Sequence, residues 1–201
     1  MHPNRAFHDL DDAAALALAE RIAFAHVFAF AGGQPMVAHA PIVRFGPDRF
    51  RFHLARSNRL ARHLDGATVL LSLVGAHGYV TPNWYDRPGD QVPTWNYVAV
   101  EIDGIARALD EAALTEQLDR LSDLHEPGLS SSPWTRAKMN PARFDVLRKA
   151  ICGFEVTVGA VRVTNKLSQN KPAHDRVGVI AGLEASGNAA LALAIRASDS
   201  A

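Results

Sequence analysis

Cys152 is the only cysteine in 201 residues. That excludes an intramolecular disulfide, and with no Cys-x-x-Cys pair there is no sign of a structural zinc site. Net charge is absent too: 21 Lys and Arg balance 21 Asp and Glu, so no global field draws the chain to nucleic acid, anionic lipid or acidic substrates. No stretch approaches ~20 uninterrupted apolar residues, so no membrane span is expected. Met1-His2-Pro3-Asn4-Arg5 runs straight into Asp9, Asp11 and Asp12 and lacks the basic-then-apolar layout of a secretory signal. Walker-type, Gly-x-Gly-x-x-Gly, Gly-x-Ser-x-Gly and His-Glu-x-x-His patterns are missing. The nine histidines fall in no recognisable ligand spacing, so no metal is expected. These absences leave a cytoplasmic protein whose 48% hydrophobic content suffices for one good core.

Residues Asp11 to Phe24 are Ala- and Leu-rich, acidic at the start and with Arg21 near the end, which predicts an amphipathic helix aligned with its dipole. Gly32-Gly33 then predicts a hairpin between a strand from Ala25 to Ala31 and a second from Pro35 to Phe45. The strict alternation of Arg49-Phe50-Arg51-Phe52-His53-Leu54 predicts a strand with one buried face. Ser57 or Asn58 is suited to cap a short helix to about Leu64. The apolar run Thr68 to Val74 reads as a buried strand, which Tyr79-Val80 continues, and Pro82 to Gln91 as a long loop. Tyr97 to Leu109 returns to strand character, with Gly104 a point of close approach. Helices are predicted from Glu111 to Leu124, from Asn140-Pro141 to Ala150, and from Pro172 to Glu184, with a last strand from Phe154 to Thr164. The Ala-rich tail after Gly187 reads as helical or frayed. Six or seven strands follow one another without ~10-residue crossover helices. This predicts a mainly β, α+β fold: an antiparallel β-barrel with peripheral helices in a single domain over 1–201, with helical additions at about 111–151 and 172–197.

Two motifs put amides, hydroxyls and rings where a core would take aliphatics: Val92-Pro93-Thr94-Trp95-Asn96-Tyr97 and Lys166-Leu167-Ser168-Gln169-Asn170. The second has more donors and acceptors than a buried segment can leave without partners. Around the long loop, Trp84-Tyr85, Trp95 and Tyr97 offer rings with polar handles to wall a planar ligand. At the handover from strand to helix, His53-Leu54-Ala55-Arg56-Ser57-Asn58 places a guanidinium and a hydroxyl beside backbone N–H groups at a helix start, a physical solution for holding a phosphate. Five arginines fall between Arg49 and Arg62, most of them explained by solvation. No helix-turn-helix spacing is present, so any DNA contact rests on a local patch such as Arg136 to Lys149.

Taken in order, His53-Leu54-Ala55-Arg56-x-Asn58, Tyr79-x-x-Pro82-x-Trp84-Tyr85, Val92 to Tyr97, Gly104, Trp134, Lys166 to Asn170 and Gly178 to Glu184 closely resemble the PaiB-type FMN-binding negative transcriptional regulators. The resemblance implies an antiparallel split β-barrel of the FMN-binding type and a homodimer holding FMN near the subunit interface. It also implies cofactor-binding roles for His53, Leu54, Arg56, Ser57 and Asn58 at the phosphate end and for Tyr79 and Trp84 on the loop wall. Thr94, Trp95, Asn96, Lys166, Ser168, Gln169 and Asn170 would lie near the ring or across the interface. The sequence departs from the family's habit at Phe52, Arg59 and Asn165, where a small residue, a proline and a tryptophan are usual. The regulator reading implies DNA or a regulatory protein as partner. A flavin-dependent oxidoreductase using a nicotinamide donor is the alternative, with no side chain marked as acid or base and whether the protein is an enzyme left open. Haem in the same cleft is a third reading.

Overall fold

A computed structural model describes residues 3–198. Two compact units divide the chain: the first takes the segment up to Leu18, Val74–Val100 and the chain from Arg162 on, and the second takes Ala19–Leu73 and Glu101–Val161. The strands are β1 Phe24–Ala31, β2 Gln34–Pro41, β3 Val43–Phe45, β4 Arg49–Ala55, β5 Thr68–Val80, β6 Thr94–Ala108 and β7 Ile151–Lys166, in sheet order β2-β1-β5-β6-β7-β4-β3. The pairs β1–β2, β1–β5, β3–β4 and β4–β7 are antiparallel. The helices are α1 Asp12–Ile22, α2 Glu111–His125, α3 Pro141–Arg148, α4 Ala173–Ala185 and α5 Ala189–Ser198.

In the second unit, Gly32 and Gly33 both adopt positive φ (59° and 74°) and Ala31 faces Gln34. This is the two-residue hairpin that the Gly-Gly pair predicts. The strand expected from Pro35 to Phe45 is broken at Ile42, whose N–H leaves the ladder to donate to the Ala23 carbonyl at 2.8 Å. Pro41, next to it, has no N–H to give. β4 keeps its alternation: Phe50, Phe52 and Leu54 are buried, and Phe52 meets Phe154 of β7 with ring centroids 5.6 Å apart. On the other face, the Arg51 guanidinium donates to Glu155 and Glu116, each at 2.6 Å, and lies 3.9 Å from the Phe45 ring centre. Gly104 is the expected close approach, since a Cβ there would stand 2.3 Å from the Thr157 carbonyl oxygen. Asp110 caps α2 through the Ala113 N–H, and Asn140 caps α3 through the Arg143 N–H.

The segment after β4 corrects the sequence reading. No α-helix runs from Ser57 to Leu64; a chain of tight turns leads into a single 3-10 turn at Ala61–His63. Asn58 accepts from the Leu60 N–H at 2.9 Å, which locks a turn two residues long where a helix cap would reach further.

The core of the first unit joins Val80, Tyr85, Val98 and Leu167 to Val179, Ile180 and Leu183 of α4 and Leu191, Ala192 and Ile195 of α5. Each fully buried Leu or Ile of this set contributes roughly 1.5–3 kcal/mol, and that burial makes the Ala-rich tail helical. Asn188 starts α5 by accepting from the Leu191 N–H and also donates to the His77 carbonyl of β5. The long loop passes under α4 at two glycines. A Cβ on Gly178 would fall 2.0 Å from the Trp84 carbonyl oxygen, and one on Gly182 would fall 2.3 Å from the Trp84 ring.

Candidate functional site

Both units carry cavities. One in the second unit, about 390 Å³, is lined by residues after β4 (Arg56, Arg62, Asp65), by the β6–α2 junction and by Arg148, Lys149 and Ile151–Phe154. Four cations and three carboxylates face it, and the carboxylates are already engaged. Asp65 accepts from the Ala108 N–H at 3.0 Å, Asp110 caps α2, and Glu111 meets Arg148 at 2.9 Å. Glu111 is held below the usual carboxylate range by its hydrogen bond to Arg148. Cys152, half-buried on the same wall, has its thiol pushed up by burial and is not a ready thiolate.

Of the residues expected at a phosphate end, only Arg56 lines this cavity, and the five do different work. Arg56 donates through Nε and a terminal nitrogen to the carbonyls of Lys149 and Ile151, both at 3.0 Å, while its own N–H donates to the Ala150 carbonyl. Its charge borders the cavity while its donors staple the turn to the start of β7. Leu54 points into the core. The Nδ1 of His53 meets Gln117 Nε2 of α2 at 3.1 Å, and burial lowers its pKa. Ser57 is exposed. Arg62, absent from the expected set, lines the cavity too, and among the described residues its head hydrogen-bonds the adjacent His63 ring.

The first unit brings the two polar motifs together. Its cavity, about 200 Å³, takes Thr94, Asn96, Lys166, Ser168 and Asn170 as wall residues, with Tyr85, Lys171, Phe7 and Val92 completing much of the rest. Buried Asn96 donates to the Ser168 hydroxyl at 2.7 Å, and Lys166 Nζ donates to the Thr94 hydroxyl at 2.5 Å. Ser168 is 3% exposed yet sits at φ 63°, a left-handed conformation that costs a non-glycine residue about 1–2 kcal/mol. Gln169 faces away from this cluster. Its side chain closes the turn by accepting from the Leu167 N–H and donating to the Asn165 carbonyl. Lys166 has its pKa lowered by desolvation. Two polar atoms of its wall residues, Asn96 Oδ1 and Tyr85 Oη, are buried with no hydrogen-bond partner among the described residues.

The aromatic residues separate. Trp84 is a packing residue under α4 and Tyr85 is buried, whereas Trp95 is half exposed. Its ring stacks on His77 (centroids 6.0 Å, 25°), its Nε1 donates to His77 Nδ1 at 3.3 Å, and Tyr79 meets it edge-on at 6.3 Å. This ledge of β5 and β6 can stack a planar group. Sequence reasoning left out His77, although its i, i+2 spacing to Tyr79 on a strand was the available signal. Tyr85, read from the sequence as a wall for a planar ligand, lines the cavity, and so does Lys171, one residue beyond the second polar motif.

Comparison with known proteins gives these features a family. Residues 1–160 match the model described as "Putative FMN-binding domain". The protease synthase and sporulation protein PAI 2 of Bacillus subtilis is 31% identical over 156 residues, which span 76% of this chain and 74% of that protein. A protein of Emericella nidulans is 34% identical over 186 residues, 73% of this chain and 74% of its own. Among solved structures, the flavocytochrome Anf3 from Azotobacter vinelandii superposes with a TM-score of 0.67 at 19% identity, covering 88% of this chain and 78% of that one. A Mycobacterium smegmatis protein that binds FAD and haem gives 0.56 at 18% identity, over 81% and 76%. The fold is the expected antiparallel split β-barrel with peripheral helices, and the chain belongs to the FMN-binding domain family that includes the PAI 2 protein.

Proposed function

We propose that this protein is a cytoplasmic, homodimeric FMN-binding regulator of the PaiB type that lowers transcription of its targets, with both units acting as one domain. The observation that carries the reading is the family match over residues 1–160, which the similarity to the PAI 2 protein supports. The second unit's cavity fits a phosphorylated cofactor in size, lying within the ~300–1,000 Å³ range of ligand sites. It fits in charge too: Arg56, Arg62 and Lys149 face it, Arg148 is paired with Glu111, and Asp65 and Asp110 accept from backbone N–H groups. In this reading Arg62 supplies guanidinium donors to the phosphate, and Arg56 adds charge and fixes the turn beside it. FMN, when bound, supplies electron-carrier chemistry that the protein tunes by orientation. The first unit's cavity, at about 200 Å³, is smaller than that range, and this reading leaves Thr94, Asn96, Lys166, Ser168 and Asn170 to a smaller ligand. A second copy is the partner that the bare aromatic face of β1 suits, with Phe24, Phe28 and Phe30 at 50%, 40% and 73% exposure.

Titrating the purified protein with FMN tests this. Saturable binding with flavin absorbance is expected, and Arg62→Ala should weaken it by about 1–3 kcal/mol, roughly 5- to 150-fold. A protein that ignores added FMN overturns the flavin reading, and a Soret band on reconstitution with haem redirects it to a tetrapyrrole. Nicotinamide oxidation with free acceptors would favour the oxidoreductase over the regulator. A salt-sensitive shift of promoter DNA would favour direct regulation.

A further inference from the structure

Every described polar wall group of the first unit's cavity is neutral or cationic: no carboxylate lines it. The two ammonium groups it presents have neutral partners. Lys166 donates to Thr94, and Lys171 donates to Gln91 at 2.7 Å while standing 4.6 Å from the Tyr85 ring centre. A pair of cations whose hydrogen-bond partners are neutral favours an anion in a confined space. Within the same space, Asn96 is 1% exposed and Tyr85 5%, and Asn96 Oδ1 and Tyr85 Oη have no partner. A buried polar atom left unpaired costs about 1–3 kcal/mol. With the Asn96 amide nitrogen engaged by Ser168, its oxygen is left as an acceptor with no donor among the described residues. Ser168 holds that orientation from a strained backbone, a cost of the kind that collects where a ligand is clamped. The volume, about 200 Å³, is that of roughly six or seven waters at ~30 Å³ each, the size of a small organic acid.

We propose that this cavity binds a small 2-hydroxy- or 2-aminocarboxylate, its carboxylate held between Lys166 and Lys171 and its hydroxyl or amino hydrogen donated to Asn96 Oδ1. Tyr85 Oη completes the shell, and the Phe7 and Val92 side chains cover the carbon skeleton. The motifs Thr94 to Asn96 and Lys166 to Asn170 are then an effector or substrate site, separate from the groups that hold a cofactor phosphate in the second unit. The proposal stands on the cavity alone and does not depend on flavin occupancy.

Isothermal titration of the full-length protein, with and without FMN, tests it using L-lactate, L-malate and L-aspartate as probes and propionate and succinate as analogues lacking the donor. At least one probe should bind ten or more times more tightly than its analogue. Tyr85→Phe and Lys171→Gln should each weaken that probe at least fivefold while the FMN titration is unchanged. No binding by any probe, equal binding of probe and analogue, or variants that leave the probe unaffected would each overturn the proposal. Displacement of a bound probe by FMN would overturn it too, because the cavity would then belong to the flavin. Failure of FMN to bind while the probes still do would defeat the flavin reading alone.

Discussion

His53 is a base whose charged form the fold disfavours. Burial against α2 lowers its pKa, so between its folded value and its unfolded value near ~6.5 the unfolded chain binds more protons than the native one. The sign follows from linkage: this contribution to stability is fully present above the unfolded value and is lost as pH falls below it toward the folded pKa. Urea midpoints measured from pH 8 to pH 5 should therefore drop on the acid side in the wild type, and His53→Gln should flatten that limb; an unchanged slope would remove His53 as its source. The same residue shows what a sequence conveys at this scale. Donor and acceptor counts mark His53, Arg56 and Asn58 as groups in need of partners, but those partners, Gln117, the Lys149 and Ile151 carbonyls and the Leu60 N–H, are supplied by the chain itself. Three of these four lie more than fifty residues away, where no local pattern points. Asn96 and Ser168 were legible for the opposite reason, since two improbable polar runs meet in one buried pair.

At the scale of elements, period and punctuation located nearly every strand and helix. Gly32-Gly33, the β4 alternation and the Asn140-Pro141 cap each act within a few residues, which is the range sequence patterns report. The short helix read after Ser57 fails because Asn58 turns the chain at once, and the strand read through Ile42 fails because its N–H bonds to Ala23, a contact across nineteen positions. Alternation along β1 also carries a consequence for assembly. Ala25, Val27 and Ala29 are buried, which sends Phe24, His26, Phe28 and Phe30 to the other face, where their β2 partners Pro41, His39, Val37 and Pro35 stand opposite. His26 and His39 meet there edge-on at 4.9 Å. Phe28→Asp with Phe30→Lys leaves the buried face untouched, so the fold should persist with a far-ultraviolet spectrum like the parent's. If a second copy covers this face, sedimentation velocity should show the dimer constant weakened at least 100-fold, because two desolvated aromatic anchors per chain are lost. A variant that stays dimeric at the same concentration would move the interface elsewhere.

For the whole molecule, strand order was the least legible property. β7 lies between β6 and β4, and β5 between β1 and β6, neighbours chosen by packing over tens of residues and not by adjacency in sequence. The order bears on how the chain comes apart. β5, β6 and β7 each contribute residues to both compact units, as does α1, so no flexible linker divides the chain at a single crossing. Melting one unit would strip backbone hydrogen bonds from strands that the other still uses, so the single-domain proposal predicts unfolding in one step. Trp84 and Trp95 report on the first unit and Trp134 on the second. With two of the three replaced by Phe in turn, fluorescence from each remaining tryptophan and far-ultraviolet dichroism should trace one superimposable urea transition, with m in the range of about 1–3 kcal/mol/M expected for small proteins. Separated midpoints for Trp134 and Trp95 would mean that the units fold independently, and the single-domain proposal would have to be abandoned in favour of two domains joined through shared strands.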